Sequence, residues 1–292
     1  MSKTFKYLSA DFETTVYKGQ QRTEVWAVGC VELFTEDVRI FHTLPDFYEY
    51  LISLNCNVCC YFHNLKFDGA FWLSYLLDDL KMVQSYIKRN KEATQIEWID
   101  KKKMQNNTFQ YCISDLGQWY SITIKTHNHY IEIRDSLKLL PFSVKRIGES
   151  FNTKHKKLDM KYEGFRYAGC NITQEEKEYI ANDVLVVKEA LEFMFTEGHN
   201  NLTIGSCCLS EFKKIVGKDD YELLFPDLTK VLLDGSDHRY SNADKWIRKS
   251  YKGGWCYVVR GKENKIKTNG ITADVNSLYP SMMSSESGNY YP

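Results

Sequence analysis

Apolar and polar positions alternate with two different periods along the first two hundred residues. Residues 5–12, then Thr23–Phe34 and Val38–Phe41, carry the β-branched and aromatic runs expected of strands. Leu44–Leu54 changes to helical spacing, with Pro45 at an early helical position. Asn57–Phe62 is a short apolar run of a buried strand, and Phe67–Leu80 reads as an amphipathic helix. Segment 81–118 is less regular, and in it Lys101-Lys102-Lys103 followed by Gln105-Asn106-Asn107 reads as a solvated turn between β segments. Tyr120–Thr126 and Tyr130–Arg134 alternate as a hairpin around His127-Asn128-His129, whose two imidazoles are read as a hairpin tip rather than a ligand pair. Ser143–Phe151 is a short helix, and Lys154–Arg166 is basic and irregular. The clearest helix is Thr173–Thr196: Glu176 lies three residues after Thr173 in a capping-box pattern, and Gly198 supplies the stop.

Strands alternating with helices define an α/β domain, with a boundary placed near residue 200. Beyond it, Cys208–Val216 is helical, a polar connection runs to about Ser250, and Trp255–Val259 and Gly270–Val275 are strand-like. The expected division is therefore 1–200 and 201–292.

Composition narrows the class. The chain has 292 residues, 43% hydrophobic and 14% aromatic, enough apolar material for a core and too much for a disordered chain. Lys+Arg 38 balance Asp+Glu 38, so a nucleic-acid partner would be held by local basic patches and not by bulk charge. The first residues lack the apolar core of a signal peptide, and no run approaches the ~18 apolar residues of a membrane span. The chain reads as cytoplasmic, with its nine cysteines as reduced thiols. Cys56, Cys59 and Cys60 suggest half a zinc site, but Cys207 and Cys208 are adjacent and poorly placed to complete a tetrahedron, so buried strand cysteines are the better account.

Three stretches collect acids. Asp11 and Glu13 are two apart in the first strand and share a face. At ~4 Å and an effective dielectric near 20 such a pair repels by roughly 4 kcal/mol. They are either solvated acids at a strand end or the ligands of a divalent cation. Asn64 and Asp68, in YFHNLKFDGAF, lie at the start of the second helix, where a capping arrangement is the simplest reading. Tyr179 and Asp183 are four apart in the long helix, beside the apolar stripe of Ile180, Val184, Val187 and Leu191. An ion pair of Asp183 with Lys177 or Lys188 is the competing account there. Together Asp11, Glu13, Asp68 and Asp183 form the carboxylate set that two-metal phosphodiester hydrolysis needs, and a nearby phenol can orient the attacking water.

DFETT, YFHNLKFDGAF and YIANDV resemble, in order and separation, the three motifs of 3′–5′ exonucleases that carry a tyrosine before the last aspartate. The sister subgroup has a histidine five residues before that aspartate, where this chain has Glu178. Two later stretches resemble family B DNA polymerases: Tyr251-Lys-Gly253-Gly254, and DVNSLYPS over Asp274–Ser281. The wording of YFHNLKFDGAF, DSLKLLPFSVK and YKGG is most similar to protein-primed polymerases of small tailed phages and linear plasmids.

The resemblance implies a ribonuclease-H-like 3′–5′ exonuclease domain, a mixed sheet flanked by helices, followed by the first, incomplete segment of a polymerase palm. It implies two Mg²⁺ or Mn²⁺ ions on Asp11, Glu13, Asp68 and Asp183, with catalytic roles for Tyr179 and Lys157, the latter in a motif with Met160. It implies contacts to a DNA 3′ end from Thr14, His63, Asn64, Phe67, Phe71, Tyr162, Ser136 and Leu137, the last two in a motif with Leu140. Tyr251, Gly253 and Gly254 would approach DNA. Asp274 and Val275 would hold two further metal ions in a full-length enzyme, while Ser277, Leu278 and Tyr279 would meet a deoxynucleoside triphosphate. A terminal protein primer is the further implied partner. A second palm aspartate motif, fingers and thumb are missing from the sequence. The chain is therefore expected to be the N-terminal part of a longer polymerase, able to degrade single strands but not to extend a primer. The competing readings are a free-standing 3′–5′ exonuclease, which leaves YKGG and DVNSLYPS unexplained, and a non-catalytic nucleic-acid-binding remnant.

Overall fold

The structure is a computed structural model, and it describes residues 5–15, 17, 20–88, 96–160, 165–226, 249, 260–261, 274–275 and 278–283. The chain divides into two compact units, Met1–Tyr221 and Glu222–Pro292.

The first unit is built on β1 (Phe5–Thr14), β2 (Val25–Glu32), β3 (Val38–Phe41), α1 (Leu44–Ser53), β4 (Asn57–Phe62), α2 (Leu65–Ser74), β5 (Val83–Gln84), β6 (Tyr86–Lys88), β7 (Ile96–Trp98), β8 (Thr108–Ile113), β9 (Trp119–Thr126), β10 (His129–Asp135), α3 (Val144–Ser150), α4 (Gln174–Thr196) and α5 (Ile204–Val216), with α6 (Lys218–Leu224) at its end. Eight strands make one sheet in the order β3-β2-β1-β4-β10-β9-β8-β5, while β6 and β7 pair separately. The central β1, β4 and β10 run parallel; on one side β2 pairs antiparallel with β1 and β3 with β2, and on the other β9 pairs antiparallel with β10 and β8 with β9. This is the mixed, ribonuclease-H-like sheet, widened at its far edge by the irregular segment 81–118.

Strand alternation sorts the core. Leu8, Ala10 and Phe12 of β1 join Val58, Cys60 and Phe62 of β4 under α1 and α2, with Phe47 and Trp72 as the large buried rings. The opposite face takes Cys59 and Tyr61 of β4, Ile147 of α3 and Val186, Ala190 and Leu191 of α4. Cys59 and Cys60 therefore point into different cores and cannot share an ion. Cys207 of α5 is buried with the α4 residues, which ties α5 to the first unit.

Two differences from the sequence reading have clear causes. Helix α2 begins at Leu65, two residues before the expected start, because its cap comes from far away: Asp135 Oδ1 accepts from Asn64 N at 3.1 Å and Leu65 N at 3.2 Å. Asn64 sits in left-handed conformation (φ 70) and its side chain caps nothing. The helix ends at Ser74, and the chain continues as a π-helical turn over Tyr75–Asp79. Lys101 is not a free surface lysine: half-buried, it opens a 3₁₀ turn, pairs with the buried Glu132 and lies over the rings of Phe5 and Tyr130. Burial, with Arg134 nearby, pushes its ammonium down to about 8.

The hairpin tip is as expected, with His127 (φ 47) and Asn128 (φ 62) both left-handed, the geometry of a tight two-residue turn. The capping box of α4 is complete: Thr173 Oγ1 accepts from Glu176 N at 3.2 Å and Glu176 Oε2 from Thr173 N at 2.8 Å. Thr173→Ala is expected to lower stability by about 1 kcal/mol, read as a shift of the urea midpoint at unchanged slope. In the second unit α7 (Leu278–Met283) is the described helix. The expected strands Trp255–Val259 and Gly270–Val275 lie outside the described residues, save Asp274 and Val275, which are in neither helix nor strand.

Candidate active site

The elements that carry the acids meet at one place, the carboxyl ends of the parallel strands β1, β4 and β10, where α/β sheets commonly open a crevice. On β1, Ser9 points toward α4 and donates to Val184 O at 3.1 Å. Asp11 and Glu13 follow it on the same side by strand alternation. From the other layer, α4 presents Asp183. One carboxylate oxygen from each of Asp11, Glu13 and Asp183 lies within 4.8 Å of the others, the single such group of potential metal ligands among the described residues. Asp68, in the first turn of α2, is buried beside them and adds its charge to Asp11.

Charge repulsion dominates the electrostatics. Burial, then the carboxylates of Asp68, Glu13 and Asp183, raises the Asp11 carboxyl well above the usual range, and Lys157 offsets this only in part. Burial and Glu13 push Asp68 up to about 8, against the pull of backbone amides at Asp68 itself and Phe12. Burial also raises Asp183 in spite of the ammonium beside it. That ammonium is Lys157: its Nζ donates to Asp183 Oδ2 at 2.5 Å and to Tyr179 OH at 3.2 Å. Burial works against its charge, but the Asp183 carboxylate outweighs it and raises the Lys157 pKa. Asp183 is thus paired with a residue 26 positions upstream and not with Lys177 or Lys188. Lys188 instead bonds Glu36 at 2.8 Å and Glu192 at 3.2 Å.

Asp68 Oδ1 and Asp183 Oδ1 are buried without a hydrogen-bond partner among the described residues. Leaving a buried carboxylate oxygen unsatisfied is costly unless a cation takes it. A cluster of hard oxygen donors with two orphaned lone-pair sites fits Mg²⁺ or Mn²⁺ better than a softer ion.

The remaining candidates divide. Thr14 ends β1 half-buried, Asn64 is exposed, and Phe67 (50% exposed) stacks edge-on with Phe71 at 5.5 Å. His63 is held within the protein: Nε2 lies 2.7 Å from Phe142 O and Nδ1 3.0 Å from Ser136 Oγ. Burial lowers its pKa, against the pull of Phe142 O and Asp135. Ser136 is fully buried and donates to Phe62 O at 3.1 Å, which leaves Leu137 as the more accessible member of that pair. Asp274, Val275, Leu278 and Tyr279 are exposed in the second unit. Tyr162, Tyr251, Gly253, Gly254 and Ser277 lie outside the described residues.

Sequence reasoning missed Asp135. Its Oδ1 accepts three backbone amides, from Asn64, Leu65 and, at 3.0 Å, Leu137, so one carboxylate joins the helix that carries Asp68 to the turn that carries Ser136 and Leu137. The signal was an acid at the end of an apolar strand, immediately before Ser136 and Leu137.

The family model described as DNA polymerase type B, organellar and viral, matches residues 52–170 and 166–288. The chain is 36% identical over 285 residues to the DNA polymerase of Bacillus phage Nf and 35% identical over 286 residues to that of Bacillus phage phi29, covering 95% of this chain and 44% of each relative. It therefore spans less than half the length of the curated relatives it matches. Among solved structures, the phi29 DNA polymerase complexed with single-stranded DNA superposes with a TM-score of 0.68 at 32% identity, over 87% of this chain and 41% of that one.

Proposed function

The chain belongs to the organellar and viral type B DNA polymerases, and from that premise we propose that its first unit is a two-metal 3′–5′ exonuclease that edits DNA for a protein-primed polymerase. The observation that carries the proposal is the meeting of Asp11, Glu13 and Asp183, from two layers of the fold, with Lys157 on the same aspartate. Asp11, Glu13, Asp68 and Asp183 would hold the cations. When bound there, Mg²⁺ or Mn²⁺ supplies the positive charge that activates a water and neutralises the scissile phosphate.

The protein's own groups do the rest. Tyr179 OH, one helical turn before Asp183, orients the attacking water. The Lys157 ammonium offers its remaining proton to a phosphate oxygen as negative charge grows on it. Phe67 and Phe71 stack on unpaired bases, which is sequence-tolerant because every base has a π-face. Thr14, Asn64 and Leu137 flank the frayed end, and Tyr162 is placed with them by motif. In the second unit Asp274, with the Val275 carbonyl, belongs to the metal site of a polymerase palm; Ser277, Leu278 and Tyr279 face a deoxynucleoside triphosphate, and Tyr251, Gly253 and Gly254 approach primer–template DNA. A terminal protein primer partners the whole polymerase. No described helix is long and apolar enough to cross a membrane.

The test is stepwise shortening of a 5′-labelled single-stranded oligonucleotide by the purified chain, with release of mononucleotides. Release from the 3′ end that requires Mg²⁺ or Mn²⁺ is the expected result. Cleavage that persists in chelator, or internal cleavage, would sink the proposal.

The raised carboxyls give a second expected result. An acid whose folded pKa lies above its unfolded value holds more protons folded than unfolded between the two. Stability of the chelated protein should therefore fall as pH rises from about 4 to about 8 through this window. Added Mg²⁺ competes with those protons, so the gain in melting temperature should be larger near pH 8 than near pH 5. Equal gains at both values would count against metal binding by these acids.

A further inference from the structure

Lys157 reaches Asp183 from an irregular loop, and the structure shows what fixes that loop. Helix α3 ends at Ser150, and Asn152 turns the chain through a left-handed conformation (φ 49). Thr153 is buried, with its Oγ1 donating to His155 O at 2.6 Å. Lys156 Nζ reaches back to Gly148 O at 2.7 Å. Between them Glu189 takes hold of the loop from α4. Its Oε2 accepts Lys154 N at 2.5 Å and His155 N at 3.4 Å, and its Oε1 lies 2.5 Å from His155 Nδ1. Both partners are mostly buried, with side-chain exposures of 22% for His155 and 15% for Glu189.

Glu189 stands six residues after Asp183 on the same rigid helix, about 9 Å along its axis at 1.5 Å per residue. The loop that delivers the ammonium and the carboxylate that receives it are therefore both referenced to α4. A lysine on a free loop would have backbone freedom and so no defined origin for its side chain. Anchoring its backbone two and three residues upstream removes most of that freedom before substrate arrives.

We propose that Glu189, clasping His155 and the Lys154 amide, is a positioning residue of the exonuclease centre that acts through Lys157. This rests on the exonuclease reading, and the test separates the two. Exonuclease rates are compared for the unaltered chain, Glu189→Ala, Lys157→Ala and the double variant. Glu189→Ala is expected to lower kcat by roughly tenfold to a hundredfold, the scale of a misplaced catalytic group, with KM for the oligonucleotide little changed. In the Lys157→Ala background the same substitution should cost nothing further, because the two act as one unit. Glu189→Gln keeps an acceptor for the Lys154 amide and should restore most of the rate.

An activity-independent readout accompanies the rates. Lys157 is labelled with an amine-reactive ester and quantified by mass spectrometry. Freed from Asp183, it should label several-fold faster in Glu189→Ala than in the unaltered chain. Additive losses in the double variant, a loss carried by KM, or unchanged labelling of Lys157 would each overturn the proposal. If Glu189→Ala fails to fold, His155→Ala leaves the backbone bonds in place and should show the same direction in labelling at smaller size; no change there overturns it equally. Absence of any metal-dependent hydrolysis by the unaltered chain would instead count against the exonuclease reading, while the labelling result would still decide the clasp.

Discussion

Asp11→Asn is expected to reduce metal-dependent release of 3′ mononucleotides by at least about 10³-fold, or roughly 4 kcal/mol of transition-state stabilisation. The change is isosteric, so β1 and its register with β2 and β4 remain as they are. What is lost is one negative charge from the group formed by Asp11, Glu13 and Asp183, and with it the field that would attract a second positive charge. The same substitution should make the metal-free protein more stable. Asp11 is raised by burial and by three neighbouring carboxylates, which is to say that its ionised form is disfavoured in the fold. Removing it relieves repulsion that the unfolded chain does not feel. The melting temperature in chelator should rise while the increment from Mg²⁺ shrinks. Unchanged release would sink the site assignment, and a lower melting temperature in chelator would sink the account of strain. Activity held at the expense of stability is the pattern expected where like charges are gathered for a cation to bridge.

The acids themselves could be read from the chain because each announces its geometry locally. Asp11 and Glu13 obey the two-residue period of a strand, and Tyr179 and Asp183 obey the four-residue turn of a helix with a written capping box at Thr173. The continuous apolar run Asn57–Phe62 and the periodic α4 helix were legible for the same reason, a signal carried by neighbouring residues. What the chain did not disclose is the partnership between remote positions. Helix α2 starts early because Asp135, some seventy residues on, caps it. Lys101 looked like one of three solvated lysines, yet Glu132 across the sheet takes it alone. Asp183 found its cation in Lys157 from an irregular basic stretch, and that stretch is held by Glu189, a residue that reads as an ordinary helix-surface acid. In each case one buried charge is satisfied by topology, and periodicity carries no information about which loop will cross which helix.

Gly29→Ala should act on both stability and editing, through the packing of α4 against the sheet. Gly29 is the register partner of Asp11, on the neighbouring strand β2. A Cβ placed there would lie 2.6 Å from Ile180 Cγ2 and 3.1 Å from Val184 Cγ1. Neither neighbour has room to yield: Ile180 and Val184 are each 1% exposed, and Ile180 is wedged among Trp26, Ala27 and Cys170. The strain must then move α4 away from the sheet, at a cost of about 1–3 kcal/mol for overpacking of this kind. Tyr179 and Asp183 flank Ile180 on that helix, so they move with it. A displacement near 1 Å at the reacting groups costs on the order of a hundredfold in rate. The expected result is a lower urea midpoint together with a fall in kcat much larger than any change in KM. Ile180→Ala removes the atom in the way, and although it leaves a cavity of its own, the pair should lose less than the sum of the two singles. If the double variant is merely additive in stability and in kcat, the close approach of α4 at Gly29 is not what holds Asp183 over Asp11.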